Sequence, residues 1–276
     1  MIIDSHQHFW DITRFRYNWM TPAKKLLIRN YLPGDLNPIM KDVGVVGTVL
    51  VQAHDSKEEG EWLLSLAESN DFVKGVVVWI DPRRTDVDKT LVKLSSSPKL
   101  KGVRYQVEDE LDDEWLLRDD VILGLKEVAR FGLPFDLLVR TRQLKTIPIL
   151  AGKVDGLRMV LDHMAKPEIA AHGMEPWKSE MAKVAAIPGM YCKISGLVTE
   201  ADWNKWTNED LKPYLRLALE LFGTERLMWG SDWPVCLLAS PYGRVLRATS
   251  DAIGPLNKSE SEKIFYLNAK HFYNLP

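Results

Sequence analysis

The sequence predicts a single (β/α)8 barrel, and three observations carry that prediction. Eight short apolar runs alternate with amphipathic segments along the 276 residues. No composition break divides the chain into halves. Reactive side chains recur just behind the apolar runs, where a barrel collects its chemistry. Strands alternating with helices mean parallel βαβ units, and eight of them in about 250 residues close into one domain, here residues 1–276. A doubly wound open sheet is the other reading, but it places a Gly-rich phosphate loop behind the first strand. The chain has His6-Gln7-His8 there instead.

The elements follow in order. Ile2, Ile3 and the residues after them form the first strand. Residues 12–38 carry Trp19, Pro22, Pro33 and Pro38 and read as an irregular, aromatic, lid-like loop. Gly34 to Val43 is a short helix. Val45 to Gln52 is a near-continuous apolar run, as expected of a strand buried on both faces. Glu58 to Asn70 is an amphipathic helix with Trp62, Leu63 and Leu66 on one face. Lys74 to Ile80 is the third strand, Thr85 to Leu94 a helix, and Lys101 to Val107 the fourth strand. Asp119 to Phe131 is helical and stops at Gly132. Leu133 to Val139 is the fifth strand, followed by a helix over Thr141 to Leu150 whose end Pro148 spoils. Leu157 to Leu161 is the sixth strand, Glu175 to Ile187 a helix, and Met190 to Ile194 the seventh strand. Asn208 to Phe222 is a long helix, Leu227 to Gly230 the eighth strand, and Ser259 to Tyr273 the closing helix, with Ser259 as N-cap and Glu262 three residues on.

Composition narrows the function. Lys plus Arg number 36 against 38 Asp plus Glu, a net charge of −2, and nothing basic is clustered, so no nucleic-acid partner is expected. No apolar run reaches the length of a membrane span, so no membrane partner is expected either. The N-terminus lacks the basic, apolar and small-residue order of a signal peptide. Cys192 and Cys236 form no Cys-x-x-Cys and read as free thiols in a reducing compartment, which points to the cytoplasm. A homo-oligomer is compatible with all of this. The chain has 10 Trp residues, and Trp79 and Trp233 lie beside candidate site residues, where they could form a wall for a sugar ring.

The candidate chemistry sits at strand ends. Alternate residues of a strand share a face, so His6 and His8 point the same way about 7 Å apart. Two converging imidazoles suit a divalent metal or a water-activating site. Strand eight neighbours strand one in a closed barrel, which brings Asp232 opposite the pair, either to complete a metal site or to act as general base. The plainer reading of Asp232 is a turn residue before Pro234. His163 ends strand six, as a further ligand, a donor to the reacting carbonyl, or a structural residue. Gln52 and His54 end strand two, Trp79 strand three, Arg104 and Gln106 strand four, and Lys193 strand seven; all are expected to meet substrate. Arg104 could instead pair with Glu108 or Asp109, and Lys193 could be a surface lysine. His172 and His271 are read as surface or core residues. Four of the 6 histidines fall at strand ends, which lifts His6 and His8 above a chance pair.

These residues carry a resemblance. Asp4-Ser5-His6-Gln7-His8-Phe9-Trp10-Asp11, Gln52, Gly102-Val103-Arg104, Leu161-Asp162-His163-Met164-Ala165-Lys166-Pro167, Lys193-Ile194-Ser195-Gly196, Gly230-Ser231-Asp232-Trp233-Pro234 and Asn268-Ala269-Lys270-His271-Phe272-Tyr273 occur in the order seen in the amidohydrolase superfamily. The whole chain resembles its sugar-acid lactonase branch. The resemblance implies hydrolysis of an aldonolactone such as fuconolactone, rhamnonolactone or galactonolactone, with pyrone-dicarboxylate lactone opening as a sister activity. It places His6, His8 and Asp232 at the metal and water site, His163 as fourth participant, and Arg104 and Lys193 near substrate. Binuclear members carry a bridging lysine at the end of strand four and a histidine at the end of strand five. Here Lys101 starts strand four and strand five has no histidine, so a binuclear centre is not expected. What remains is one divalent ion, Zn²⁺, on His6, His8 and Asp232, or a site that dispenses with metal. A decarboxylase of a small unsaturated acid and a non-catalytic sugar-acid binder are the alternatives; no Gly-x-Ser-x-Gly nucleophile elbow is present.

Overall fold

The computed structural model describes residues 1–276. Eight parallel strands stand side by side in sequence order: β1 (Ile2–Gln7), β2 (Val45–Val51), β3 (Val73–Trp79), β4 (Leu100–Gln106), β5 (Phe135–Leu138), β6 (Met159–Leu161), β7 (Tyr191–Ile194) and β8 (Leu227–Trp229). The ends of β8 and β1 meet: His8 N–H donates to Trp233 O at 2.7 Å and Asp232 N–H to His6 O at 2.8 Å. This closes the (β/α)8 barrel that the alternation predicts.

The interior is layered. At the N-terminal end Ile3, Val49, Val77, Val160 and Met228 pack with Phe272, Tyr273 and Leu275 from the C-terminus. Asp136, Lys193, Asp162, Arg104 and His6 come next and are all buried. His8, His163 and Asp232 lie above them at the C-terminal mouth. Between strands and helices a larger apolar core includes Val76, Leu91, Leu125, Phe135, Leu161 and Leu215. No helix is long and apolar enough to cross a membrane. Cys192 and Cys236 are free and buried.

Most element bounds lie within one or two residues of expectation, and the helix Asn208–Phe222 matches at both ends, with Thr207 and Asp210 forming a capping box. Four features differ. Pro148 does not spoil a helix end; it stands in the first turn of Ile147–Lys153, where its missing N–H costs nothing, behind a 3-10 turn over Thr141–Thr146. A helix over Tyr242–Ile253 is additional to those expected, and it buries Tyr242, Val245, Leu246 and Thr249. The closing helical segment starts at Lys258 with Asn257, not Ser259, as N-cap, and passes through a π-helical stretch at Lys263–Leu267 before its last turn, Asn268–Phe272. The irregular stretch ends at residue 32, because Pro33 already opens the helix Pro33–Asp42.

Candidate active site at the barrel mouth

His6 and His8 converge as expected, with ring centroids 5.0 Å apart. Each ring is held by groups behind it. His8 Nδ1 lies 2.6 Å from the Val51 carbonyl oxygen, which can only accept, so Nδ1 holds a proton. Nε2 faces Asp232 Oδ1 at 3.3 Å. Two acceptor atoms opposed at this distance need a proton or a cation between them. His6 Nε2 lies 3.9 Å from the same oxygen and 3.4 Å from Arg104 Nη1, a group that can only donate. Its Nδ1 lies 3.3 Å from Asp162 Oδ1 and 3.2 Å from Lys193 Nζ, so both ring nitrogens meet a cationic donor. Ligands 2.0–2.1 Å from a tetrahedral Zn²⁺ stand about 3.4 Å apart, so the spacing of His6, His8 and Asp232 fits one divalent ion.

His163 completes the group, its Nε2 3.9 Å from Asp232 Oδ1 and its Nδ1 2.9 Å from Ser195 Oγ. His163, Met164, Ala165 and Lys166 all have positive φ, from 53° to 57°, a left-handed turn of four non-glycine residues that costs roughly 1–2 kcal/mol per residue. The buried Met164 and Ala165 and the bond from Trp177 Nε1 to Met164 O at 2.7 Å hold it. Asp232 is left-handed as well, at φ 57°. Strain gathered on two residues of one mouth is typical of a functional site. Gly196 makes room for this arrangement: at φ +67° a Cβ there would lie 2.6 Å from His163 Nδ1. Gly196→Ala is accordingly expected to lose stability by at least roughly 1–2 kcal/mol in chemical denaturation and to displace the His163 ring.

Burial pushes His6 well below the ordinary histidine range and His163 down to about 4, the latter against the opposing pull of Asp232 and Asp162. Burial alone would raise the Asp232 carboxyl, but His163, His8 and His6 outweigh it and hold it well below the usual range.

Beneath the mouth lies a buried ionic network. Lys193 Nζ sits 2.6 Å from Asp136 Oδ2 and 3.0 Å from Asp162 Oδ1. Arg104 Nη1 donates to Asp162 Oδ2 at 3.2 Å and Nη2 to Gln52 O at 2.5 Å. Tyr273 OH donates to Asp136 Oδ2 at 2.7 Å from below. Burial raises Asp136 to about 6 despite Lys193, whereas Lys193, His6 and Arg104 overcome the burial of Asp162 and hold it well below the usual range.

A cleft of ≈ 490 Å³ opens above, lined among others by His8, His54, Trp79, Arg104, Gln106, His163 and Asp232. Three residues expected to meet substrate stand outside it. Lys193 is fully buried in the network. Gln52 donates to His54 O and Ser56 O and accepts from Trp79 N–H, bracing the β2 and β3 ends. Trp233 is buried against Phe9 and Tyr31 and offers no ring face to the cleft. Arg104 pairs with Asp162, not with Glu108 or Asp109. Trp19 of the stretch before residue 33 reaches the cleft and donates from Nε1 to Ala53 O at 3.0 Å, and Tyr17 OH donates to Glu59 Oε1 at 2.5 Å. Glu108, Arg140 and Lys166 also line the cleft; Glu108 and Arg140 fall two residues behind the ends of β4 and β5, the signal that marks them, and Lys166 closes the turn after β6. A larger groove of ≈ 670 Å³ opens beside Gly156, Arg158 and Gly189, ahead of β6 and β7 at the opposite end of the barrel.

A closed (β/α)8 barrel with a His-x-His pair on its first strand and an aspartate behind its eighth belongs to the class that does its chemistry on water at the C-terminal mouth. This chain is a member of the amidohydrolase family, which it matches over residues 3–275. It is 36% identical to the L-fucono-1,5-lactonase of Burkholderia ambifaria over 285 residues, covering 99% of this chain and 95% of that protein. The crystal structure of an amidohydrolase from Burkholderia multivorans with bound zinc superimposes at a TM-score of 0.92 with 34% identity, over 100% of both chains. A second crystal form with bound HEPES gives 0.95 at 33% identity, again over 100% of both.

Proposed function

We propose that this protein is a lactonase that opens the ring of an aldonolactone by adding water to its carbonyl carbon. One observation carries the reading: His8 Nε2 and Asp232 Oδ1 oppose each other at 3.3 Å on the floor of a cleft lined with hydrogen-bonding side chains. Full-length relatives at 36% and 34% identity are L-fucono-1,5-lactonases, which favours hydrolysis over the decarboxylase reading. His6, His8 and Asp232 are the residues that would hold a divalent ion, which when bound supplies a Lewis acid and a water of lowered pKa.

The chain's own groups account for the proton movements. Asp232 accepts a proton from the attacking water as the new C–O bond forms. His163, kept neutral by burial and held through Nδ1 against Ser195 Oγ at 2.9 Å, turns Nε2 to the cleft and stabilises the oxyanion. The ring C–O bond then breaks, and the departing oxygen takes the proton back from Asp232. A carboxyl held well below its usual range keeps a proton poorly and gives it up readily to an alkoxide. The product acid ionises, so each turnover releases one proton.

The test is proton release over a panel of L-fucono-, L-rhamnono-, L-galactono- and D-series lactones, on protein that is zinc-loaded and protein that is chelator-treated. Turnover of one stereochemical group is expected, and inactivity of folded, zinc-loaded protein on every lactone would reject the reading. The pH dependence follows from the buried histidine. Burial disfavours the imidazolium, so His163 stays neutral down to about pH 4, and Asp232 stays ionised over the same range. In metal-free protein the His163 imidazole is therefore expected to titrate near pH 4 by NMR, with no inflection near pH 6.5; titration near 6.5 would show that burial does not hold it neutral.

A further inference from the structure

We propose that Glu108, clamped by Lys166 and Arg140, reads a pair of adjacent hydroxyls on the substrate ring and so sets which sugar lactone is opened. The inference rests on the lactonase reading above. The three residues come from the ends of three neighbouring strands, β4, β5 and β6, and meet on one wall of the cleft that holds His8, His163 and Asp232.

The clamp is tight and leaves valences free. Lys166 Nζ donates to Glu108 Oε1 at 2.7 Å and to Oε2 at 2.6 Å, and Arg140 Nη2 stands 3.5 Å from Oε2. The Glu108 side chain is 12% exposed and lines the cleft. Lys166 and Arg140 overcome its burial and lower its pKa, so it stays a pure acceptor. A carboxylate has about four acceptor positions and an ammonium three donors. After these contacts Oε1 retains an acceptor position and Lys166 one N–H. An acceptor fixed beside a donor matches adjacent hydroxyls, each of which gives one hydrogen bond and takes another.

Lys166 is the last residue of the left-handed turn that starts at His163. The clamp thus fixes the hydroxyl-reading pair in register with the group that faces the reacting carbonyl. The cations of this wall are already paired, Arg104 with Asp162, and Lys166 and Arg140 with Glu108. That suits a neutral polyhydroxy ring better than a dianionic one, whose carboxylates would need unpaired cations.

The experiment compares kcat/KM for the best aldonolactone of the panel with lactones that differ from it at a single hydroxyl. Discrimination among these epimers is expected to fall roughly tenfold or more in Glu108→Gln, mostly through KM, because a site built to pair a hydroxyl discriminates by leaving its own groups unpaired. Glu108→Asp and Arg140→Ala are run beside it, each checked for folding by thermal melting. Arg140 is half exposed, so its loss should not endanger the fold, and a smaller drop in discrimination is expected. Equal losses on all epimers in the folded variants, or no discrimination by the wild type, would overturn the proposal while leaving the lactonase reading standing. A wild type inert on every lactone would overturn both.

Discussion

Replacing Asp232 by Asn is expected to lower kcat/KM for lactone opening by about 10³-fold, within the range for a positioned proton acceptor, while leaving the protein folded. The substitution keeps size and shape. It also spares the backbone bonds that fix the position, Asp232 N–H to His6 O at 2.8 Å and Cys236 N–H to Asp232 O at 2.9 Å. Asn tolerates the left-handed backbone at φ 57° as well as Asp does. What the variant loses is the negative charge against which three imidazoles are set, and with it both the proton acceptor and an ion ligand. Initial rates over the lactone panel, with thermal melting as the control for folding, decide the matter. Activity within tenfold of wild type would take Asp232 out of the chemistry.

Lys193→Met is expected to be the most destabilising single change in the barrel interior, by about 3–5 kcal/mol in urea denaturation, the cost of removing one partner of a buried ion pair. Lys193 is fully buried with Nζ 2.6 Å from Asp136 Oδ2 and 3.0 Å from Asp162 Oδ1, so the methionine leaves Asp162 to Arg104 and Asp136 with no cation, only the Tyr273 hydroxyl. Asp136 already sits at about 6 with the lysine in place, so it would take up a proton near neutrality once the lysine is gone. The partner variant follows from the same physics: Asp136→Asn combined with Lys193→Met should cost less than Lys193→Met alone, because it removes a charge that has lost its counter-ion. A double variant no more stable than the single one would show that the network is not held by this pairing.

Much of this architecture was legible in the chain. Parallel strands buried on both faces need unbroken apolar runs, and Val76-Val77-Val78 or Val49-Leu50-Val51 supply them. Alternation with amphipathic helices then leaves little besides a barrel, and strand ends point to His6, His8, His163 and Asp232. The helix over Tyr242–Ile253 was also readable, since its buried residues recur at helical spacing between Pro241 and Gly254.

The interior ionic layer was not legible. Asp136 lies within a strand and Asp162 beside a histidine, and local pattern cannot tell a carboxylate that meets a lysine 57 or 31 residues away from one that meets water. The same holds for Lys193 and Gln52, whose positions at strand ends suggested substrate but whose partners lie across the barrel axis or in the next strand. Periodicity is a property of neighbours along the chain, so the sequence alone determined the fold and the gathering of His8, His163 and Asp232 at the mouth with His6 beneath them. Which polar groups are partnered, neutral or charged depends on distances between strands that only closure of the barrel creates, and the tertiary structure alone decided those.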